Sequence, residues 1–554
     1  MAIASSPTLE TRWHQLFPTL SGPDIERVRR FGSPRTYRKG EYLEETGKPS
    51  PGLILILSGE VEISQHDPLG HVEEIVTYQP GQFLAEIASL SGIPVLVDGV
   101  AKTDVQAIII PSARLRELMV AEADLGERIM RALILRRVAI LETSVAGPII
   151  VGRSGDANVL RLENYLGRNG YPHHTLDADS DEGGKALVER FHVAAAELPI
   201  VLCPNGDLLH NPDEHTLAAC LGLVRKLDPD KLYDVAIIGA GPAGLAAAVY
   251  AGSEGLSTIM LDCNAFGGQA GASMRIENYL GFPTGITGMR LMARAYNQAQ
   301  KFGVESAIPE EVVQLRVDSP CFAIETKSDQ RVRARAIVIA TGARYRRLDI
   351  PNLPEFEGSH VHYWASPLEG RLCQSQEVAL VGAGNSAGQA AVYLATQAAR
   401  VYLLMRGKTL DATMSRYLVE RIAAQPNIEV LPETEVTALI GEGHELKAIR
   451  WKSRRTGNET EKTIRHLFLF IGADPNTDWL KASGIAVDAK GFVLTTAELG
   501  DGKQPLETNC PGVFAIGDVR SGSVKRVASS VGEGAQVVAT LHAHLARLRE
   551  GAAA

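Results

Sequence analysis

No Cys-x-x-Cys occurs in this sequence of 554 residues, and only six cysteines are present. They are Cys203, Cys220, Cys263, Cys321, Cys373 and Cys510. Their positions show neither the spacing of a metal site nor that of a disulfide framework. Such sparse cysteines are typical of proteins in a reducing compartment, so we expect a cytoplasmic protein without a metal site.

Long apolar runs and an excess of positive charge are also absent. No uninterrupted apolar stretch is long enough to cross a bilayer, and the N-terminus lacks the basic start of a targeting segment. The net charge of −9 gives no general attraction for nucleic acid or anionic membranes. With 45% apolar and 22% charged residues, the chain has an ordinary globular composition. Its length indicates roughly three to five domains.

Two glycine-rich turns are present, each after an apolar strand and before a helix of small residues. They are Gly239-Ala240-Gly241-Pro242-Ala243-Gly244, after Val235–Ile238, and Gly382-Ala383-Gly384-Asn385-Ser386-Ala387-Gly388, after Glu377–Val381. In such a turn the first glycine permits a tight bend and the second lets the backbone approach a pyrophosphate. The third small residue lets the helix pack on the strand, and the helix N-terminus offers free amides to phosphates.

Further signals accompany the first turn. Asp262 follows the next strand, Thr258–Leu261, where a carboxylate can accept a hydrogen bond from a ribose hydroxyl. The other motifs are Gly267-Gly268-Gln269, Glu277-Asn278-Tyr279, the strand end at Ala340-Thr341-Gly342 and the strand end at Gly517-Asp518.

As a set, these motifs resemble the thioredoxin-reductase-like branch of two-dinucleotide flavoproteins, over residues 233–546. The resemblance implies bound FAD, with Asp518 at the ribityl chain and Gln269 and Asn278 beside the isoalloxazine. Arg526, Val527 and Ala528 would close over the flavin. It also implies a homodimer and a nicotinamide domain that rotates against the FAD domain.

The end of strand Val401–Leu404 indicates which nicotinamide nucleotide binds. An NAD site places a carboxylate there for the ribose 2′-hydroxyl. This chain instead has Arg406 and Lys408, with Arg416 downstream, and a guanidinium binds a 2′-phosphate well. We therefore predict NADPH, although Gly407 replaces the second arginine of the family. The alternative is that Arg406 and Lys408 are solvated surface charges.

The family's redox-active Cys-x-x-Cys should precede the second glycine turn. Its two positions are Ala365 and Leu368 here, so the dithiol relay is missing. Glu369 stands where the family has an acid for proton transfer, and Glu369 and Trp364 are the catalytic candidates. The alternative for Glu369 is a helix-start or surface carboxylate. Cys373 alone cannot complete a dithiol cycle.

The first part of the chain resembles a cyclic-nucleotide-binding domain. The resemblance rests on Tyr42-Leu43, on a predicted hairpin of Leu53–Leu57 and Val61–Ile63, and on Pro80–Leu90, where Glu86 holds the ribose-binding position. Apolar residues of Pro94–Val97 replace the phosphate-binding arginine, so cyclic-nucleotide binding is doubtful. The domain is expected to bind another ligand or to serve in dimerisation and docking.

A long helix is predicted from Ser112 to about Ser144. One of its faces carries Leu118, Leu125, Ile129, Leu133 and Ile140. This face either packs on its own domain or forms a two-helix seam in a dimer.

The next segment, up to residue 228, resembles a thioredoxin or glutaredoxin-like domain. Pro199 occupies the position of a cis-proline, and Arg153-Ser154-Gly155-Asp156 replaces the dithiol. The alternative is an unrelated small α/β domain.

The predicted fold class is therefore a multidomain protein with four units. We predict a cyclic-nucleotide-binding-like β-roll at 1–146, a thioredoxin-like α/β domain at 147–228, and two Rossmann-like three-layer domains, for FAD at 232–351 and 476–548 and for NAD(P)H at 352–475.

The predicted function is an FAD enzyme that accepts hydride from NADPH and reduces an external acceptor without an internal redox disulfide. Candidate acceptors are a ferredoxin-like protein, a quinone, dioxygen or a thiol protein. One alternative is a redox or nucleotide sensor with little turnover. Another is a thioredoxin-disulfide reductase that uses a non-canonical thiol. Nucleic acid and membranes are not expected partners.

Overall fold

The computed structural model describes residues 7–66, 72–91, 93–143, 147–273, 275–317, 321–442, 445–496 and 504–553. No helix in these ranges is both long enough and apolar enough to cross a membrane.

The N-terminal module is a roll of two antiparallel four-stranded sheets. One sheet has the order Ser33–Tyr37, Val105–Ile110, Leu53–Ser58, Phe83–Leu84; the other has the order Tyr42–Glu44, Asp98–Ala101, Val61–His66, Val72–Tyr78. Its helices are Pro7–Leu16, Gly22–Arg29, Ala88–Ser91, Ser112–Ala121 and Ala123–Thr143.

The predicted hairpin around Gly59 is wrong. Leu53–Ser58 and Val61–His66 do not pair, because they belong to opposite sheets of the roll. The turn at Gly59, with a φ of +85°, carries the chain from one sheet to the other. A short turn between two apolar strands has the same sequence signature in both arrangements.

The predicted long helix is divided at Glu122, whose backbone leaves the helical region (φ −119°, ψ 76°). The predicted apolar face lies mostly inside the roll. Leu118, Leu125, Ile129 and Leu133 are fully buried there within one chain, which favours packing on the module itself over a dimer seam.

The second module is a small α/β layer. Its strands have the order His174–Asp177, Ile149–Gly152, Ile200–Leu202, Leu208–His210, and its helices are Ala157–Arg168, Glu182–Arg190 and Glu214–Cys220, with a 3-10 turn at Ala195–Glu197. The Leu198–Pro199 bond is cis, at the position where the resemblance places a cis-proline.

A disulfide bond joins Cys203 and Cys220 in this module, with their Cα atoms 6.5 Å apart. The sequence predicted no disulfide framework and a function without an internal redox disulfide. The Cys203–Cys220 bond corrects both expectations. The sequence spacing gave no signal because the pair is brought together by tertiary packing. Cys203 follows strand Ile200–Leu202, and Cys220 ends helix Glu214–Cys220.

The third unit has a seven-stranded sheet. Six strands have the order Glu305–Ala307, Thr258–Leu261, Leu232–Ile238, Arg331–Ile339, Phe322–Thr326, Val312–Arg316, and Val513–Ala515 also pairs with Arg331–Ile339. The helices are Pro242–Ser253, Gly268–Gly271, Gly288–Lys301 and Val527–Ala553, and Asp478–Leu480 and Gly517–Val519 form 3-10 turns.

The fourth unit has a parallel five-stranded sheet. Its order is Val361–His362, His466–Leu469, Glu377–Val381, Arg400–Leu404, Ile428–Leu431. Its helices are Leu353–Phe356, Pro367–Leu372, Asn385–Leu394 and Arg416–Ala424. A second sheet contains Thr434–Glu442, Glu445–Ser453 and Glu459–Lys462, and Ala343–Tyr345 pairs with Ala473–Pro475 between the two units.

Candidate cofactor and active site

Three parallel strands of the third unit end at the same edge of the sheet. Leu232–Ile238 and Val513–Ala515 both pair in parallel with Arg331–Ile339, so the turns that follow the three strands lie together. These turns are Gly239–Gly244, Ala340–Gly342 and Gly517–Asp518. A Cβ added to Gly517 would lie 2.9 Å from the Cβ of Ala243, which places Asp518 near the start of helix Pro242–Ser253. The carboxyl edge of a parallel sheet is where such folds bind ligands.

In the first glycine turn, neighbouring backbone atoms exclude a Cβ at two glycines and leave open space at the third. Gly239 has a φ of +110°, and a Cβ there would lie 2.2 Å from the Ala340 carbonyl oxygen. A Cβ on Gly244 would lie 1.9 Å from the Gly239 oxygen. At Gly241 the nearest atom would be the Cα of Gly268, at 3.9 Å. The open space at the helix N-terminus fits a pyrophosphate group.

Asp262 organises the backbone of this turn. Its carboxylate accepts hydrogen bonds from the backbone nitrogens of Ala240 at 2.8 Å and Asn264 at 3.0 Å. Burial raises its pKa, and these hydrogen bonds oppose that rise. The Gly267 nitrogen donates to the Ala240 oxygen at 2.7 Å, so the second motif packs directly on the first.

The residues expected beside the isoalloxazine separate into two groups. Asn278 and Tyr279 line a cavity of about 260 Å³ together with residues 526–529, which include Arg526, Val527 and Ala528. Gln269 instead donates from Nε2 to the Ala343 carbonyl oxygen. Burial raises the pKa of Asp518, while the charge of Lys525 lowers it.

Two residues that the sequence reasoning missed hold the strand ends. Glu533 accepts hydrogen bonds from the Gly517 nitrogen and from Nη2 of Arg520, both at 2.6 Å. Asn476 donates from Nδ2 to the Thr341 oxygen at 3.0 Å, and Thr341 Oγ1 donates to the Asn476 oxygen at 2.8 Å. Neither residue lies in a motif, although Glu533 lies on the helix that follows the Asp518 turn.

Arg168, also missed, brings the second module into this site. Its Nη2 donates to the Gly268 oxygen at 3.0 Å, and Nδ2 of Asn169 donates to the Asn264 oxygen at 3.2 Å. The Arg168 Nε atom is buried and has no hydrogen-bond partner among the residues that the structure describes. Burial raises the pKa of Asp262, and the positive charge of Arg168 is among the influences that oppose this rise.

The second glycine turn is built in the same way. Gly382 has a φ of +151°, and Gly384 precedes the first turn of helix Asn385–Leu394, where Asn385 and Ser386 lie. Ala387 is fully buried against the strand. The Asn385 side chain accepts a hydrogen bond from the Ser415 nitrogen at 2.6 Å, so the segment before Arg416 is fixed to this turn.

The basic residues expected at the 2′-phosphate are exposed. Arg416 is largely solvated and pairs with Glu420 at 3.0 Å. Arg406 and Lys408 follow strand Arg400–Leu404 on the surface, and neither forms an ion pair with any residue that the structure describes. Both side chains can therefore bind a 2′-phosphate, as the NADPH prediction requires. Their exposure also agrees with the alternative that they are solvated surface charges.

Glu369 and Trp364 are brought together. Trp364 Nε1 donates to Glu369 Oε1 at 3.0 Å, and the Ser366 nitrogen donates to Glu369 Oε2 at 2.9 Å. Ser366 and Glu369 form a capping box at the start of helix Pro367–Leu372, the helix-start role that was the alternative. Burial raises the pKa of the nearby Cys373 thiol to about 12, so this cysteine stays protonated.

Comparison with known proteins agrees with this geometry. A family model described as pyridine nucleotide-disulphide oxidoreductase matches residues 233–534, which is more than half of the chain. The chain belongs to the pyridine nucleotide-disulphide oxidoreductase family. Residues 34–122 match the model of the cyclic nucleotide-binding domain. The chain is thus an NAD(P)H-dependent oxidoreductase with a cyclic-nucleotide-binding-type domain, and the predicted fold class is confirmed.

Individual relatives cover the same part of this oxidoreductase. The thioredoxin reductase of Listeria innocua serovar 6a is 32% identical over 321 residues, 58% of this chain and 96% of the relative. NADPH-dependent thioredoxin reductase 3 of Arabidopsis thaliana is 35% identical over 311 residues, 54% of this chain and 56% of the relative. The crystal structure of Lactococcus lactis thioredoxin reductase superposes with a TM-score of 0.53 at 30% identity, covering 57% of this chain and 99% of that one. The thioredoxin-reductase-like family uses FAD and NADPH, as the sequence predicted.

Proposed function

We propose that this oxidoreductase accepts hydride from NADPH and passes electrons to an external acceptor. We also propose that its domains have the boundaries predicted from the sequence. FAD, when bound, supplies the two-electron chemistry. The observation that carries the proposal is the pair Ala365 and Leu368 at the expected dithiol positions, because neither side chain can carry electrons. Electrons would therefore leave the flavin without passing through a thiol pair beside it.

The chain's own residues would bind and orient the two cofactors. The N-terminus of helix Pro242–Ser253 would bind the FAD pyrophosphate, with Asp262 at a ribose and Asp518 at the ribityl chain. Arg168 would add a positive charge on the phosphate side. Residues 526–528, Asn278 and Gln269 would border the isoalloxazine.

On the nicotinamide side, Gly384 and the first turn of helix Asn385–Leu394 would bind the NADPH pyrophosphate. Arg406, Lys408 and Arg416 would attract the 2′-phosphate. For Glu369 we propose a positioning role: it fixes helix Pro367–Leu372 and the indole of Trp364, in keeping with its hydrogen bonds.

Anaerobic mixing with NADPH tests the proposal. The flavin absorbance should bleach rapidly and recover when an acceptor from a panel is added: a quinone, dioxygen, a ferredoxin or an oxidised thioredoxin. Bleaching that persists against the whole panel would favour the sensor alternative. Protein that stays colourless after reconstitution with FAD would overturn both.

A second candidate function follows from the Cys203–Cys220 disulfide. It lies in the module whose Arg168 and Asn169 contact the flavin-site turns. As an internal acceptor, the disulfide would take two electrons from NADPH by way of FAD, and two protons, and become two thiols. Thiol titration after anaerobic NADPH treatment would show two additional thiols in the wild-type chain. The double variant Cys203→Ser/Cys220→Ser should show no gain.

A further inference from the structure

An apolar cavity lies inside the N-terminal roll. It is bounded by strands Val61–His66 and Val72–Tyr78 and by helix Ala123–Thr143, and none of its lining residues belongs to the flavin or nicotinamide site. Its apolar lining includes Phe17, Ile63, Ile75, Tyr78, Leu84 and Val97. Such a lining favours an apolar occupant, whose orientation is then set by the few polar groups present.

Two buried hydrogen-bond donors in this lining lack partners among the residues that the structure describes. Gln65 is 2% exposed, and its Nε2 atom has no hydrogen-bond partner there. Arg136 is 6% exposed, and its Nη2 atom likewise has none. Buried polar atoms are almost always paired, so two unpaired donors in one cavity indicate a missing acceptor.

The remainder of Arg136 is held rigidly. Its Nε donates to the Leu16 oxygen at 2.8 Å, and its Nη1 donates to the Phe83 oxygen at 3.0 Å and the Ala85 oxygen at 2.7 Å. The guanidinium also packs over the rings of Phe17, Tyr78 and Phe83. The unpaired Nη2 is therefore held in a fixed position in the wall of the cavity, and such rigidity lowers the entropic cost of binding a ligand.

The charges around the cavity argue against an anionic ligand. Glu44, Glu73, Glu74 and Glu86 belong to the lining, and Arg136 is the one cation among the lining residues that the structure describes. Glu86 pairs with Arg137 outside this set. Burial raises the pKa of Glu44 to about 8, so its carboxyl group is largely protonated at neutral pH. Glu74 is exposed and pairs with Lys102 at 3.9 Å, which leaves Glu73 against the positive charge of Arg136. A cyclic phosphate or a carboxylate would therefore gain no net electrostatic attraction in this cavity.

We propose that this cavity binds a small, neutral, largely apolar ketone, whose carbonyl oxygen accepts hydrogen bonds from Gln65 and Arg136. A carbonyl oxygen has two lone pairs and so can satisfy both donors. The hydrocarbon part would fill the apolar lining. The site would thus take a different class of ligand from the nucleotide suggested by the domain's fold.

Cyclopentanone is a suitable probe, with cyclopentane as the same ring without oxygen. Binding to the full-length holoprotein would be measured by ligand-observed saturation-transfer NMR, which needs no turnover and is independent of the flavin chemistry. Cyclopentanone should bind more tightly than cyclopentane. Cyclopentanecarboxylate and cyclic AMP should neither bind nor displace it.

The decisive variant is Gln65→Leu, which removes a donor that has no protein partner in the described part of the chain. It should weaken cyclopentanone binding about tenfold, as expected for one buried hydrogen bond, and should not weaken cyclopentane binding. Gln106→Leu is the matched control, because Gln106 is exposed on strand Val105–Ile110 of the same module.

Four results would overturn the proposal. They are equal binding of ketone and hydrocarbon, tighter binding of either anion, no detectable binding of the ketone, and an unchanged ketone affinity in Gln65→Leu. Circular dichroism of both variants would establish that the roll is folded.

Discussion

At the scale of single residues, Arg168 connects the small α/β module to the flavin site. Its Nη2 donates to Gly268, and its buried Nε has no partner among the described residues. We expect Arg168→Ala to raise the dissociation constant of FAD about tenfold or more, because a charge-assisted hydrogen bond to phosphate would be lost. Titration of the apoprotein with FAD, followed by flavin fluorescence, measures this constant.

Arg161→Ala is the control for this prediction. Arg161 lies two turns earlier on the same helix and pairs with Glu214 at 3.0 Å, away from the flavin turns. Its removal should leave the FAD affinity unchanged. If Arg168→Ala bound FAD as tightly as Arg161→Ala, Arg168 would have no part in the site.

Residues differ in how far their roles can be predicted from the sequence. Gly239 and Gly244 were predictable because they belong to one recognisable glycine motif, in which a Cβ on Gly244 would clash with the Gly239 oxygen. Arg168 was not, because its partner Gly268 lies 100 residues away and no motif contains it. The pairing of Cys203 with Cys220 was missed because their separation of 17 residues matches no recognised disulfide spacing and the tertiary fold brings them together.

A second residue-scale prediction concerns the choice of nicotinamide nucleotide. Arg406 and Lys408 are exposed, so the double variant Arg406→Ala/Lys408→Ala should fold normally. Its KM for NADPH should rise about tenfold or more while that for NADH stays nearly constant, since only NADPH carries the 2′-phosphate. Steady-state kinetics with both nucleotides distinguishes these outcomes.

Arg454→Ala is a comparable loss of an exposed arginine in the same unit, where Arg454 pairs with Glu435 at 3.2 Å. It should change neither KM. An equal rise of both constants in the double variant would indicate a structural effect and would contradict the assignment.

At the scale of elements, two neighbouring strands of the nicotinamide-binding unit carry a buried histidine pair. His362 Nε2 lies 3.1 Å from His466 Nδ1. Burial lowers the pKa of His466 to about 4 and that of His362 well below 6.5. Above pH 6.5 both rings are neutral in the folded and unfolded chains, and the pair has no effect on the pH dependence of stability.

As the pH falls below 6.5, the unfolded chain binds protons that the folded chain cannot, so the free energy of unfolding should decrease. For His466 alone the loss between pH 6.5 and 4 amounts to at most about 3 kcal/mol. His466→Gln should reduce this pH dependence, measured by urea unfolding at several pH values. His210→Gln, which changes an exposed histidine, should leave it unaltered. Identical profiles for the two variants would contradict the prediction.

Elements show where sequence patterns lose information. The strands Glu377–Val381 and Leu232–Ile238 were predictable because buried parallel strands are continuous apolar runs. The hairpin at Gly59 was not, because apolar strands joined by a short turn can belong to one sheet or to two. The break at Glu122 was also missed, because the apolar spacing continues across it.

At the scale of the whole molecule, the modules share apolar contacts. Leu96, in the segment where a phosphate-binding arginine was expected, is 5% exposed and packs in the core of the next module with Ile150 and Val159. A Cβ at Gly358 of the nicotinamide unit would lie 3.4 Å from Ala157, at the start of helix Ala157–Arg168. The second module therefore contacts the roll, the flavin turns and the nicotinamide unit.

This arrangement makes Leu96 a docking residue rather than a ligand-binding one. Leu96→Ala should weaken the contact between the roll and the second module by about 2 kcal/mol or more, the usual cost of a large-to-small change in a core. Calorimetry should then resolve unfolding of the roll as a separate transition at lower temperature.

Leu43→Ala is the control: Leu43 is matched in burial, at 6% exposed, but lies in the core of the roll itself. It should destabilise the roll while small-angle scattering shows an unchanged radius of gyration, whereas Leu96→Ala should increase that radius. Equal scattering from both variants would show that the roll is held in place by other contacts.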